Sequence, residues 1–161
     1  MSILITAASQ AAAYKLERLL QAPDVIFADN KDNSHLKYSG RKFIGIPPGN
    51  SASYAHELLK ACLDLGIEKI YPLYFDEIEA LSEARQLFDE YGIKVIVPGI
   101  DYLSKLDSAH SAANGEFIIV ENGEVVAGKL ISLPDSLETG IFCFESEGDS
   151  PAIKLFAIQH D

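Results

Sequence analysis

The chain is 161 residues long, with 13 Lys and Arg against 24 Asp and Glu, 48% apolar residues and two cysteines. That is enough chain for a buried core and too apolar for wholesale disorder. A net charge of −11 excludes general nucleic-acid binding, which needs a basic footprint. No apolar run approaches the roughly 18 residues of a membrane span, and Met1 leads into a short apolar segment without a basic leader. Cys62 and Cys143 are too few for a disulfide framework and point to buried free thiols in a reducing cytoplasm.

In chain order, Ser2–Thr6 is an apolar run of strand length. A helix over 10–21 follows, with Ala13, Leu16, Leu19 and Leu20 on one face and Pro23 beyond its end. Val25–Asp29 and Lys42–Ile46 predict two further strands. Asn50–Ser53 offer N-cap residues for a helix through Leu65, stopped by Gly66. Lys69–Leu73 reads as a fourth strand. Asp76 and Glu79 predict a capping box for a helix carrying Ile78, Leu81, Ala84, Phe88 and Tyr91, and Lys94–Val97 is a fifth strand. Apolar strands alternating with amphipathic helices predict a doubly wound, Rossmann-like parallel sheet over residues 1–100. In such sheets ligands bind beyond the strand C-termini.

The rhythm changes in residues 101–161, where the charge is also concentrated. This stretch holds 3 basic and 11 acidic side chains, a balance of −8, against 10 and 13, a balance of −3, in residues 1–100. A helix is predicted over 101–113, then a hairpin of Phe117–Val120 and Val125–Ile131 around Asn122-Gly123. Ile141–Phe144 and Ile153–Ile158 follow, separated by an acidic turn over 145–149. The chain thus ends in an antiparallel β appendage that either extends the main sheet or forms its own. Its apolar runs exceed what one sheet face hides and the candidate strands hold no Pro. A homodimer with strands 116–144 near the interface is therefore expected.

The predicted ligand contacts lie at the strand ends. Ala7, Ala8, Ser9 and Gln10 form the turn after the first strand, where small residues and the helix N-terminus admit an anion. No Gly occurs before residue 40, so the dinucleotide pattern G-x-G-x-x-G is absent. Asp29 ends the second strand, where it meets a ribose, or else is a solvated strand-end acid or a cap for the next turn. Tyr74, Asp76 and Glu77 complete the set, with Asp76 and Glu79 already accounted for by capping. Lys31, Arg41 and Lys42, with Lys37, His35 and Tyr38, are the basic cluster that an anion would meet, unless they are simply a solvated loop. His35, His56, His110 and His160 lack metal-ligand spacing, and no P-loop or G-x-S-x-G elbow is present, so neither metal nor cofactor is expected.

SILITAASQAAAYKLERLL, VIFAD and LLKACLDLGIEKIYPLYFDEIEALSEARQLFDEYGIKVIVPG together resemble the pre-ATP-grasp domain that opens carbamoyl-phosphate-synthase-like ATP-grasp ligases. The resemblance covers about the first 100 residues. It implies a Rossmann-like domain that helps shape a ligase's substrate site, while ATP and Mg²⁺ are held by a later two-lobed domain. Ala7 and Ala8 replace the glycines usual in that family, and the last 60 residues carry no glycine-rich lid or E-x-N metal pair. The expectation is a non-catalytic domain that binds a small metabolite or partners an ATP-grasp ligase. The alternative is a small Rossmann-like enzyme acting on a nucleotide or nucleotide-linked metabolite.

Overall fold

The computed structural model describes residues 1–31, 41–106, 116–128, 137–147 and 150–159. Five strands, β1 (Ser2–Ile5), β2 (Asp24–Asp29), β3 (Lys42–Gly45), β4 (Ile67–Tyr71) and β5 (Lys94–Val95), form one parallel sheet in the order β3-β2-β1-β4-β5. The order reverses between β1 and β4, the doubly wound arrangement expected from the apolar strands. Helices α1 (Ala11–Leu20), α2 (Tyr54–Leu65), α3 (Phe75–Glu83) and α4 (Arg85–Glu90) are its connections. The single helix expected after residue 76 is broken at Ala84 into α3 and α4.

Side chains alternate across this sheet as the period of a strand requires. Ile3, Ile5, Phe27 and Tyr71 face one side, where they pack with Ala13 and Leu16 of α1. Leu4, Ile26, Ala28 and Ile70 face the other, where they meet Leu58 and Cys62 of α2 and Ile78, Leu81 and Phe88 of α3 and α4. α2 ends as expected at Gly66, whose φ of 68° is the left-handed turn that glycine adopts without a Cβ clash.

α5 (Ile100–Ser104) is a shorter helix than expected; residues 107–113 of that prediction lie outside the described residues. Beyond it, β6 (Glu116–Glu121), β7 (Glu124–Gly128), β8 (Gly140–Glu147) and β9 (Ser150–Leu155) make a separate antiparallel sheet in the order β7-β6-β8-β9. Of the two expected arrangements, the second sheet is therefore the one formed. Asn122 and Gly123 both take positive φ, 53° and 82°, in the hairpin between β6 and β7. β8 runs on through Glu147, into the stretch expected to be a turn, and β9 begins three residues early and contains Pro151, on an edge where a missing N–H is tolerated.

The second sheet is covered on both faces by this same chain. Phe117, Ile119, Ile141 and Cys143 join the α1 side of the parallel sheet. Ile118, Val120, Phe142 and Leu155 form a third core with Leu137, against which Tyr102, Leu103 and Leu106 pack. Much of the apolar strand surface that motivated a second chain is thus buried within one, while Val126 of β7 stays exposed. At the seam, the Glu121 carboxylate of β6 bridges Lys69 of β4 and Lys94 of β5, at 3.0 and 3.1 Å. Burial alone would raise this carboxyl, but the two ammonium groups outweigh it and hold it below the usual range. Cys62 and Cys143 are buried free thiols, and burial pushes the Cys62 thiol up to about 12.

Candidate functional site: a closed polar cluster at the strand ends

Residues beyond the C-termini of β1, β2 and β4 meet at the point where strand order reverses. β1 runs into a turn in which Ala7 takes φ 57°, the left-handed conformation that the family resemblance would give to glycine. That costs an alanine roughly 1–2 kcal/mol, and the turn is held by bonds from all sides. The Ala8 N–H donates to Ala28 O at 3.1 Å, and the Gln10 N–H donates to Ala7 O at 2.9 Å. The Tyr14 hydroxyl donates to Ala8 O at 2.7 Å. Ala7 and Ala8 are themselves buried, so their methyl groups are part of the core.

Asp29 is fully buried. Its Oδ2 accepts from the Ser9 N–H at 2.9 Å and the Ser9 hydroxyl at 2.7 Å. Its Oδ1 accepts from the Asn30 N–H at 2.7 Å and the Tyr74 hydroxyl at 3.4 Å. The carboxylate therefore ties the first turn to β2 and to the start of α3. Gln10 reaches the Tyr74 hydroxyl as well, and burial raises that phenol above its ordinary value.

Glu77 is the second buried acid, 1% exposed. Its Oε2 accepts from the Tyr54 hydroxyl at 3.0 Å, its Oε1 from the Tyr74 N–H at 3.3 Å, and the Thr6 hydroxyl bonds to it too. Thr6 in turn accepts the Leu73 N–H at 2.8 Å. Burial pushes the Glu77 carboxyl up to about 7, against the opposing pull of these donors. A carboxyl at that value suits acid–base chemistry, but this one faces its own protein on every bond named. The capping box expected from Asp76 and Glu79 is corrected here. α3 begins two residues earlier, at Phe75, with Tyr74 and not Asp76 before it, which makes Glu77 the third helical residue and the partner of the Tyr74 N–H.

Two further segments close over this cluster. Gly49, in the loop after β3, lies so near the start of α3 that a Cβ there would sit 2.5 Å from the Glu77 backbone N. The chain end also returns. Ile158 forms a parallel bridge with Tyr74, its N–H donating to Leu73 O at 2.7 Å and its carbonyl accepting the Phe75 N–H at 3.0 Å. The first amide of α3, an anion-binding position in many nucleotide folds, thus serves the chain's own C-terminal segment.

The structure brings Ala7, Ala8, Ser9, Gln10, Asp29, Tyr74, Asp76 and Glu77 to one end of the sheet, with Lys31 just beyond β2. It does not bring Arg41 and Lys42 there. Lys42 opens β3 and pairs with Asp24 at the start of β2, at 3.6 Å; Arg41 pairs with Glu17 at 3.1 Å and lies over the Tyr14 ring. His35, Lys37 and Tyr38 lie outside the described residues. Thr6 and Gly49 fall in strand-end stretches and Tyr54 on the apolar face of the helix expected through Leu65, but none of them, nor Ile158, is among the expected ligand contacts. Among the described residues no group of three or more potential metal ligands clusters, and no helix is long and apolar enough to cross a membrane.

The model of one protein family, the PylC-like N-terminal domain, matches residues 3–96, which span β1 to β5 and every acid of the cluster. No curated protein matches the chain significantly.

Proposed function

Because the chain belongs to the PylC-like N-terminal-domain family, a pre-ATP-grasp-type domain, we propose that it works by binding and not by bond-making. In this reading it is a non-catalytic domain that partners an ATP-grasp ligase, or a second copy of itself, and receives a small metabolite. The observation that supports the reading is the state of its two buried acids. Asp29 and Glu77 are hydrogen-bonded to Ser9, Asn30, Tyr54 and Tyr74, which makes them fasteners of the strand ends and removes the obvious acid–base pair from reaction. A metabolite at this end would meet the outward groups Ser9, Gln10 and Lys31, and the N-terminal dipole of α1 favours an anion there by roughly 0.3–1 kcal/mol.

The test is turnover. With ATP, Mg²⁺ and candidate acid substrates, the purified chain is expected to release no phosphate above the buffer rate. Steady release that follows the folded protein through purification, and is lost in Asp29→Asn, would instead establish the small-enzyme alternative. A thermal-shift series with nucleotides and small metabolites, run in parallel, reads binding independently of chemistry.

A further inference from the structure

A second feature lies away from the strand-end cluster. A cavity of about 550 Å³ lies where α5 meets the second sheet, within the size range of small-ligand pockets. Its walls are apolar: Pro98 and Phe142 are buried, Leu137 is 6% exposed, and Tyr102 and Leu106 are partly buried. The wall is also braced. The Ser82 hydroxyl donates to Pro98 O at 2.7 Å, and the Tyr102 and Phe142 rings meet edge to face at 6.0 Å between centroids. Ile100 stays 51% exposed beside it, an apolar side chain in solvent at the border of an apolar cavity.

The charged lining is small and of mixed sign. Asp101 and Glu138 supply two carboxylates and Lys105 one ammonium, all exposed. Among the described lining residues the balance is negative, in a stretch of chain that is itself strongly acidic. All lining residues except Ser82 lie beyond residue 96, where the family match ends. The cavity is therefore built mostly from residues outside the family match, with Ser82 of α3 as the contribution from inside it.

We propose that this cavity is a binding site for a small apolar amine, with a hydrophobic or aromatic body against Leu106, Tyr102 and Leu137 and an ammonium group near Asp101 and Glu138. The chemistry follows from the lining. Apolar walls reward burial of a hydrocarbon body. Two carboxylates and the aromatic ring of Tyr102 each favour a cation over an anion. The site is separate from the strand-end cluster, and it stands whether or not the chain serves a ligase.

Phenethylamine and 3-phenylpropionate are the probes, matched in body and opposite in charge. Each is titrated into the full-length, ¹⁵N-labelled protein while backbone amide shifts are followed. Phenethylamine is expected to give saturable shifts confined to residues 98–106 and 137–142, with 3-phenylpropionate at least tenfold weaker. Asp101→Asn with Glu138→Gln, both at exposed positions, should cut amine affinity about tenfold and leave carboxylate affinity unchanged or improved. Gly99→Leu should abolish both, because Gly99 has an ordinary φ of −70° and nothing within 4 Å of a Cβ built on it. No saturable shift in these residues overturns the site, as does amine binding indifferent to Gly99→Leu. Equal or tighter binding of the carboxylate overturns the ligand class. A turnover result of either kind bears on the proposed function and on neither the site nor the ligand class.

Discussion

Glu77 holds its proton up to about pH 7 because it is buried, whereas the same carboxyl in an unfolded chain releases it near 4.5. Between those values the folded state binds the proton more tightly. The stabilisation is fully present below about pH 4.5 and is lost as pH rises through 7, a span worth on the order of 3 kcal/mol. Glu77→Gln keeps the hydrogen-bonding shape without the titration, since a Tyr54 hydroxyl that donated to a carboxylate can accept from an amide. Denaturant unfolding at pH 5 and pH 8 should therefore show a smaller loss of stability in Glu77→Gln than in the parent, with the variant the more stable of the two at pH 8. Equal slopes in both proteins would mean that Glu77 is ionised in the folded state at all these pH values. Asp29, equally buried, sits among two backbone amides and two hydroxyls, so the two acids share a cluster in different surroundings.

Elements at this end of the sheet are joined through backbone as much as through side chains. Gly49 is the sharpest instance, because a methyl there must push against the Asp76–Glu77 main chain, which has little freedom to give. Gly49→Ala is expected to cost about 2–3 kcal/mol. Gly66→Ala, strained in φ but open in space, should cost nearer 1 kcal/mol. Thermal unfolding of the pair checks the order; equal losses would place the cost in φ and not in the approach to α3. The contrast also shows what the sequence carries. Gly66 announces itself because it follows a helical pattern, and Asn122-Gly123 because two strand patterns flank it. Both are local signals. Gly49, Thr6 and Ile158 act through partners far along the chain, so no window around them reveals the contact. The capping box was misplaced for a related reason: Asp76-x-x-Glu79 has the right spacing, but the incoming tail fixes Phe75 as the first helical residue.

At the scale of the whole molecule, the appendage completes the α1 side of the parallel sheet. It supplies Phe117, Ile119, Ile141, Cys143 and Phe156 to the same core that holds Ile3, Ile5 and Tyr71. Much of the strand surface from which a second chain was expected lies in this core and the third one, so a substitution meant to test the dimer changes meaning. Ile118 is 0% exposed in the third core, so Ile118→Lys should unfold the second sheet and lower the melting temperature by many degrees. Light scattering of the parent and circular dichroism of the variant separate the cases. A variant that stays folded and merely halves its mass would put Ile118 at an interface after all.

The short bridge between Tyr74 and Ile158 has a consequence for the order in which this protein becomes itself. A ribosome delivers the five parallel strands and all their helices well before it delivers residue 158, and domains generally begin to fold as they emerge. This one emerges with the carbonyl of Leu73 and the first amide of α3 still waiting for partners, and with the α1 side of its sheet only partly covered until Phe117, Ile141 and Phe156 arrive. The unit that a family model recognises is thus larger in folding than in ancestry. A chain ended after residue 100 should be made readily and yet stay loosely packed, binding a hydrophobic dye and exchanging the amides of β1 and β4 within minutes. Protection of those amides equal to that in the full chain would show that the parallel domain reaches its native packing alone.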